Sequence, residues 1–161
     1  MIGLTLTACG GGAQPRVASQ PRAAATAGHV LAQLQAAGLP VTDRLIYDAT
    51  TDPNHLLGRP AGYLSKAAWI DRRVSRSQAS DTSQGSVDLG GSVEVFADSS
   101  GAKSRAAYVL GLEQRAPILG TEYDYVTGPI LLRISGVLTP TQAAGYGRVI
   151  GATLYHPSGS G

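Results

Sequence analysis

The sequence predicts an α+β domain: a four- or five-stranded, mainly antiparallel sheet with about three helices packed on one face. Three observations carry that expectation. Runs rich in branched and aromatic residues follow one another along the chain, which favours antiparallel neighbours. Residues 26–37 and 100–115 place apolar side chains at helical spacing. Finally, Thr139-Pro140-Thr141-Gln142 reads as a helix start, with Thr139 as N-cap, Pro140 at the first helical position and Gln142 completing a capping box.

In chain order, the first helix uses Val30, Leu31 and Leu34 and stops at Gly38, before Pro40. A strand is expected over residues 44–49 and another over 63–70, where Lys66 interrupts one of two apolar faces. Residues 71–86 form a long polar loop whose Ser/Gln-rich composition favours mobility. A third strand covers 87–97, with Gly90-Gly91 as a bulge or point of close approach. The second helix, capped by Asp98 or Ser99, carries the stripe Ala102, Ala106, Val109, Leu110, Glu113, apolar until its last member. Residues 123–126 and 130–135 make a bent strand or a hairpin. There Ile130, Leu132 and Ile134 give one apolar face, and Leu131, Arg133 and Ser135 a mixed one. The last helix ends near Gly151. These elements make one domain over 26–156, followed by a frayed tail, 157–161.

The 161 residues suffice for one core of ordinary size. A formal charge of +2 is too small to argue for nucleic acid. The one local basic cluster, Arg72, Arg73 and Arg76, has no aromatic neighbours on which bases could stack. No nucleic-acid partner is therefore expected. The single cysteine is more informative. Leu6-Thr7-Ala8-Cys9 has the form of a bacterial lipobox, in which small residues give a peptidase access and the Cys9 thiol accepts the diacylglyceryl group. On this reading 1–8 is the remnant of a lipoprotein signal peptide lacking its positively charged start. Residues 9–25, a lipidated Cys9 followed by Gly/Ala/Gln/Pro/Ser, then form a flexible tether. The acyl chains on Cys9 would make the membrane itself a partner.

The stretch that organises the chain is residues 50–66, T-T-D-P-N-H-L-L-G-R-P-A-G-Y-L-S-K. Pro53, Gly58, Pro60 and Gly62 exclude a regular helix there. Asp52, His55, Arg59, Tyr63 and Lys66 are its candidate binding residues. Arg59 is expected to staple the loop by donating to its carbonyls or to Asp48 or Asp52; the alternative is an outward hook for a carboxylate or phosphate. Asp48, Asp52 and His55 lack a fourth metal ligand and read better as turn residues, so no metal is assigned. The glycine pattern Gly145-Tyr146-Gly147-Arg148-Val149-Ile150-Gly151 lies inside a capped helix with no strand–turn before it, so no dinucleotide or other cofactor is expected. No acyl-transfer, zinc-protease or phosphate-loop motif is present. A small hydrolase would have to use His55 with Asp48 or Asp52, and no catalytic residue is assigned.

The phrases T-D-P-N-H-L-L-G-R-P-A-G-Y-L-S-K, G-G-S-V-E-V-F-A-D and Y-D-Y-V-T-G-P-I-L-L-R-I-S resemble those of small secreted or lipid-anchored proteins of actinobacteria. The resemblance covers most of the chain after the tether. It implies location on the outer side of the cell membrane and carries no activity. The expected function is a non-enzymatic extracytoplasmic lipoprotein that binds an envelope protein or small ligand. Its rival is an inhibitor or phage superinfection-exclusion lipoprotein.

Overall fold

The structure, a computed structural model, describes residues 25–116 and 121–157. Cys9, the tether up to residue 24 and the end of the tail lie outside the described residues. In chain order the elements are α1 (Ala27–Ala36), β1 (Val41–Ile46), β2 (Ser65–Asp71), β3 (Gly90–Val95), α2 (Ser99–Arg115), β4 (Glu122–Thr127), β5 (Ile130–Ser135), α3 (Pro140–Ile150) and β6 (Thr153–Leu154). The strands form one six-stranded sheet in the order β1-β2-β3-β5-β4-β6, antiparallel throughout. The sixth strand, beyond the expected four or five, is two residues long and leaves no periodic signal. Among the described residues no helix is long and apolar enough to cross a membrane.

Strand alternation divides the sheet into two unlike faces. On the first, Ala67, Val93, Leu132 and Tyr125 align across four strands, and Trp69, Gly91, Ile134 and Tyr123 form the next row. Val30, Leu31 and Leu34 of α1, with Ala143 and Tyr146 of α3, are buried against this face. A Cβ on Gly91 would lie 2.6 Å from the Trp69 ring, so glycine is what lets the indole lie across β3. The Tyr146 hydroxyl donates to Asp71 at 2.6 Å, and Arg73 pairs with the same carboxylate at 2.6 Å. That staple fixes α3 to the end of β2. At the start of α3 the capping box is complete, and Gly151 ends it in the left-handed conformation.

The second face is covered by α2, which corrects the expectation that all helices lie on one side. Ala102 and Ala106 bury against Leu131, Phe96 and Tyr63. The reason is visible in β5: Leu131 and Leu132 are both fully buried, and adjacent strand residues point to opposite faces. Both faces therefore need a cover.

Two boundaries also moved. The first strand begins at Val41 rather than residue 44, and stops before Tyr47. Past its end the Asp48 carboxylate accepts the backbone N–H groups of Thr50 and Thr51, forming a turn where the ladder would have continued. A 3-10 turn over Val87–Leu89 takes the expected start of the third strand. The segment before it is held by many bonds despite its polar composition. Arg76 donates to the Thr82 carbonyl, and Asp88 accepts from the Ser80 and Asp81 N–H groups.

Candidate functional site

The organising loop closes on one carboxylate. Asp52 is fully buried and accepts the backbone N–H groups of Asn54, Leu56 and Leu57. It also takes the Tyr63 hydroxyl at 2.6 Å and the Lys66 ammonium at 3.0 Å. Around it the backbone is tight: His55, Gly58 and Ala61 are all left-handed, and a Cβ on Gly62 would meet the Leu56 carbonyl. Burial would push the Asp52 carboxyl up, but the bonds from Tyr63, Lys66 and Leu56 outweigh it and hold it well below the usual carboxylate range. At Lys66 the balance is opposite in sign. Burial draws the ammonium below its ordinary value, against the pull of Asp52 and Glu94. With a carboxylate at 3.0 Å and the rings of Tyr47 and Tyr63 at 4.7 and 5.3 Å, the ionised pair is the state the geometry favours at neutral pH.

Of the five residues singled out in the sequence, Asp52, Tyr63 and Lys66 come together, and His55 and Arg59 do not join them. Both are exposed, and neither side chain makes a hydrogen bond or ion pair among the described residues. Arg59 is thus not the staple expected of it. Lys66 fills that place because β2 aims it back under the loop. The His55 ring meets neither Asp48 nor Asp52, whose carboxylates are committed to Thr50, Thr51, Tyr63 and Lys66. Among the described residues no group of three or more His, Cys, Asp or Glu side chains converges as a metal site would require.

Lys66 also belongs to a larger arrangement on the α2 face. In register across the sheet, Lys66 stands beside Glu94, and Ser92 beside Arg133, which neighbours Asp124. Glu94 is fully buried and pairs with Arg105 at 3.2 Å and Arg133 at 3.5 Å. Arg133 forks onto Glu122, with its Nε and one terminal nitrogen at 3.0 and 2.7 Å. Above this row opens a cleft of about 490 Å³, walled by α2 and by residues 81–88. Its lining includes Lys66, Ser92, Arg133 and Glu122 from the sheet and Arg105, Tyr108 and Glu113 from α2. The size falls in the usual range for small-molecule sites.

The charges here are strongly perturbed. Burial would lower the Arg133 guanidinium, but Glu122 and Glu94 raise it above its already high value. Burial raises Glu122 despite the opposing Arg133, and raises Glu113 together with the charge of Glu122. Asp124 is pushed up to about 8, first by burial and then by Glu122. The Ser92 hydroxyl, buried on the cleft floor, has no hydrogen-bond partner among the described residues.

The sequence carried signals for these residues that the reading above did not join. Lys66 breaks an apolar face of β2, Glu94 sits between Val93 and Val95, Arg133 lies on the mixed face of β5, and Glu113 ends an apolar helical stripe. Each is one charge at a position where the pattern asks for an apolar residue. Only the pairing of strands places them together. No family model, curated protein or solved structure matches this chain.

Proposed function

We propose that the chain is an extracytoplasmic lipoprotein anchored through Cys9, and that its domain is a non-enzymatic module binding a small polar ligand in the cleft under α2. The observation that carries the binding reading is the buried row Lys66–Glu94–Arg133–Glu122 beneath an open cavity of about 490 Å³. Charges held by one another in fixed geometry form a pre-organised polar surface, which orients a ligand without first having to reorganise. The cations of the row are already paired with carboxylates, which suits holding a ligand rather than moving a proton. The anchor is supported by Leu6-Thr7-Ala8-Cys9 and the glycines after it.

Two measurements test this. Expressed behind a complete signal peptide, the wild type should partition to membranes with a diacylglyceryl mass addition that Cys9→Ala abolishes; a soluble, unmodified wild type would refute the anchor. A nuclear magnetic resonance screen of amino acids, short peptides, sugars and polyamines should move the amide signals of Ser92, Arg105 and Glu113 for at least one class. A screen that leaves all three unmoved would refute the cleft as a binding site.

A further inference from the structure

The cleft has a direction. Along α2, Arg105, Tyr108, Val109, Leu112 and Glu113 fall on one helical stripe and all line the cavity. The stripe begins with a cation, passes through an aromatic and two aliphatic residues, and ends with an anion. At 1.5 Å per residue, Arg105 and Glu113 are separated by about 12 Å along the axis. The sheet floor beneath carries paired charges at both ends, so the direction is set by the α2 wall. Lys66 and Glu94, beneath Arg105, lie in the strand row that passes Leu131, whereas Glu122 lies in the row of Ser135, four residues along β5 and so about 13 Å away.

The groups at the two ends have unused capacity. Arg105 gives only its Nε to Glu94, and its two terminal nitrogens meet no acceptor among the described residues. Its guanidinium instead stacks over the Tyr108 ring, 5.4 Å away at the cleft wall. Glu113, half-buried, makes no ion pair among the described residues, and the polar group nearest its carboxylate is the Glu122 backbone N–H. Between them, on the floor, stands the buried Ser92 hydroxyl without a partner among the described residues.

We infer that the cleft takes a short linear peptide of about three residues, its terminal carboxylate at Arg105 and its terminal ammonium at Glu113. This rests on the reading of the cleft as a ligand site and narrows its ligand class. An extended chain advances about 3.3–3.6 Å per residue, so three residues with their termini match the separation of the two ends. The carboxylate would receive the free nitrogens of Arg105 as a charge-assisted pair. The ammonium would relieve the crowding of Glu113 against Glu122. In the middle, Ser92 would meet backbone amide groups, and Tyr108, Val109 and Leu112 would pack on small apolar side chains. A single amino acid is too short to reach both ends, and a sugar offers neither charge.

The experiment titrates the full chain with trialanine, N-acetyl-trialanine and trialanine amide, following Ser92, Arg105 and Glu113 amide signals. Trialanine should bind at the cleft, and each cap should weaken it at least ten-fold. Glu113→Gln, a change at a half-buried group that makes no ion pair among the described residues, should remove the penalty of the acetyl cap and leave that of the amide cap. Equal affinity for free and capped peptides, or a variant that alters both penalties alike, overturns the inference. Trialanine failing to move these signals also overturns it. The screen described above then separates the outcomes: if another ligand class moves the same signals, only the peptide assignment falls, and if none does, the cleft reading falls with it.

Discussion

The two faces of the sheet use the same strands in different ways. Under α1 and α3, Ala67, Trp69, Val93, Leu132 and Ile134 form a continuous apolar layer, with one polar staple at its margin where Tyr146 and Arg73 meet Asp71. Under α2, the alternate positions carry Lys66, Ser92, Glu94 and Arg133, and the apolar packing is a smaller cluster of Leu131, Ala102, Ala106, Phe96 and Tyr63. A sheet built for stability alone gains little from the second arrangement. Replacing buried ion pairs by packed apolar residues is often neutral or favourable by about 1–4 kcal/mol. Charges kept beneath an open cleft are the ground for the polar occupant proposed above, whereas the other face is built for stability.

The largest expected effects separate the two kinds of cohesion. Trp69→Ala on the apolar face and Asp52→Ala at the edge of the polar face should each cost about 3–5 kcal/mol in denaturant unfolding, the first by leaving a cavity and the second by stranding a buried ammonium. They differ in rescue. Adding Lys66→Met to Asp52→Ala removes the stranded charge and should restore at least about 1 kcal/mol, as a direct test of charge pairing. No single neighbour can refill the space of Trp69. Arg59→Ala, at an exposed side chain without partners among the described residues, should stay within about 0.5 kcal/mol. If Asp52→Ala were as mild as Arg59→Ala, the polar face would not depend on pairing.

How much of this was legible follows the same division. The apolar face could be read in advance: Val30, Leu31 and Leu34 repeat at helical spacing, the Thr139–Gln142 box announces α3, and the strand runs are rich in Val, Ile and Tyr. Periodicity reports burial, and that face is built from burial. The polar face was legible only as interruptions, because its meaning lies in cross-strand register, and Glu94 and Arg133 are 39 positions apart. In the loop, the apolar and turn residues were visible, but the choice of staple was not. Arg59 and Lys66 are both cations in the same loop, and only the direction of β2 aims the second at Asp52. Placement of α2 depended on Leu131, one of four aliphatic side chains in β5.

A smaller effect probes the polar face through pH. Asp124 is buried beside Glu122 and Arg133, with Glu113 and Glu94 also contributing, and its carboxyl is pushed up to about 8. A carboxyl with a raised folded value binds its proton more tightly folded than unfolded. Its stabilising contribution is complete below the ordinary aspartate range and is lost as pH rises through about 8. Asp124→Asn keeps the neutral shape at every pH. The variant should match the wild type near pH 4 and exceed it increasingly as pH rises to about 8, with thermal or urea unfolding as the measurement. Parallel profiles for the two proteins would mean that the carboxylates around Arg133 are not crowded.

The smallest expected effect compares two serines on the polar face. Ser135 donates to the Asp88 carbonyl at 2.7 Å and accepts the Val137 N–H at 3.2 Å. Ser92 is as deeply buried, and its hydroxyl has no partner among the described residues. Removing a bonded hydroxyl leaves its partners unpaired, so Ser135→Ala should cost about 1 kcal/mol. Removing an unbonded one takes away only a desolvated polar group, so Ser92→Ala should leave stability unchanged or raise it by about 0.5–1 kcal/mol. The two residues are matched in chemistry, face and burial, which makes the sign of the difference informative. A polar group that lowers stability where it stands is explained if it serves an occupant of the cleft. Ser92→Ala should accordingly weaken whatever ligand moves the Arg105 and Glu113 signals. If it costs as much as Ser135→Ala, the hydroxyl is part of the packing, and the case for a recognition face loses its central residue.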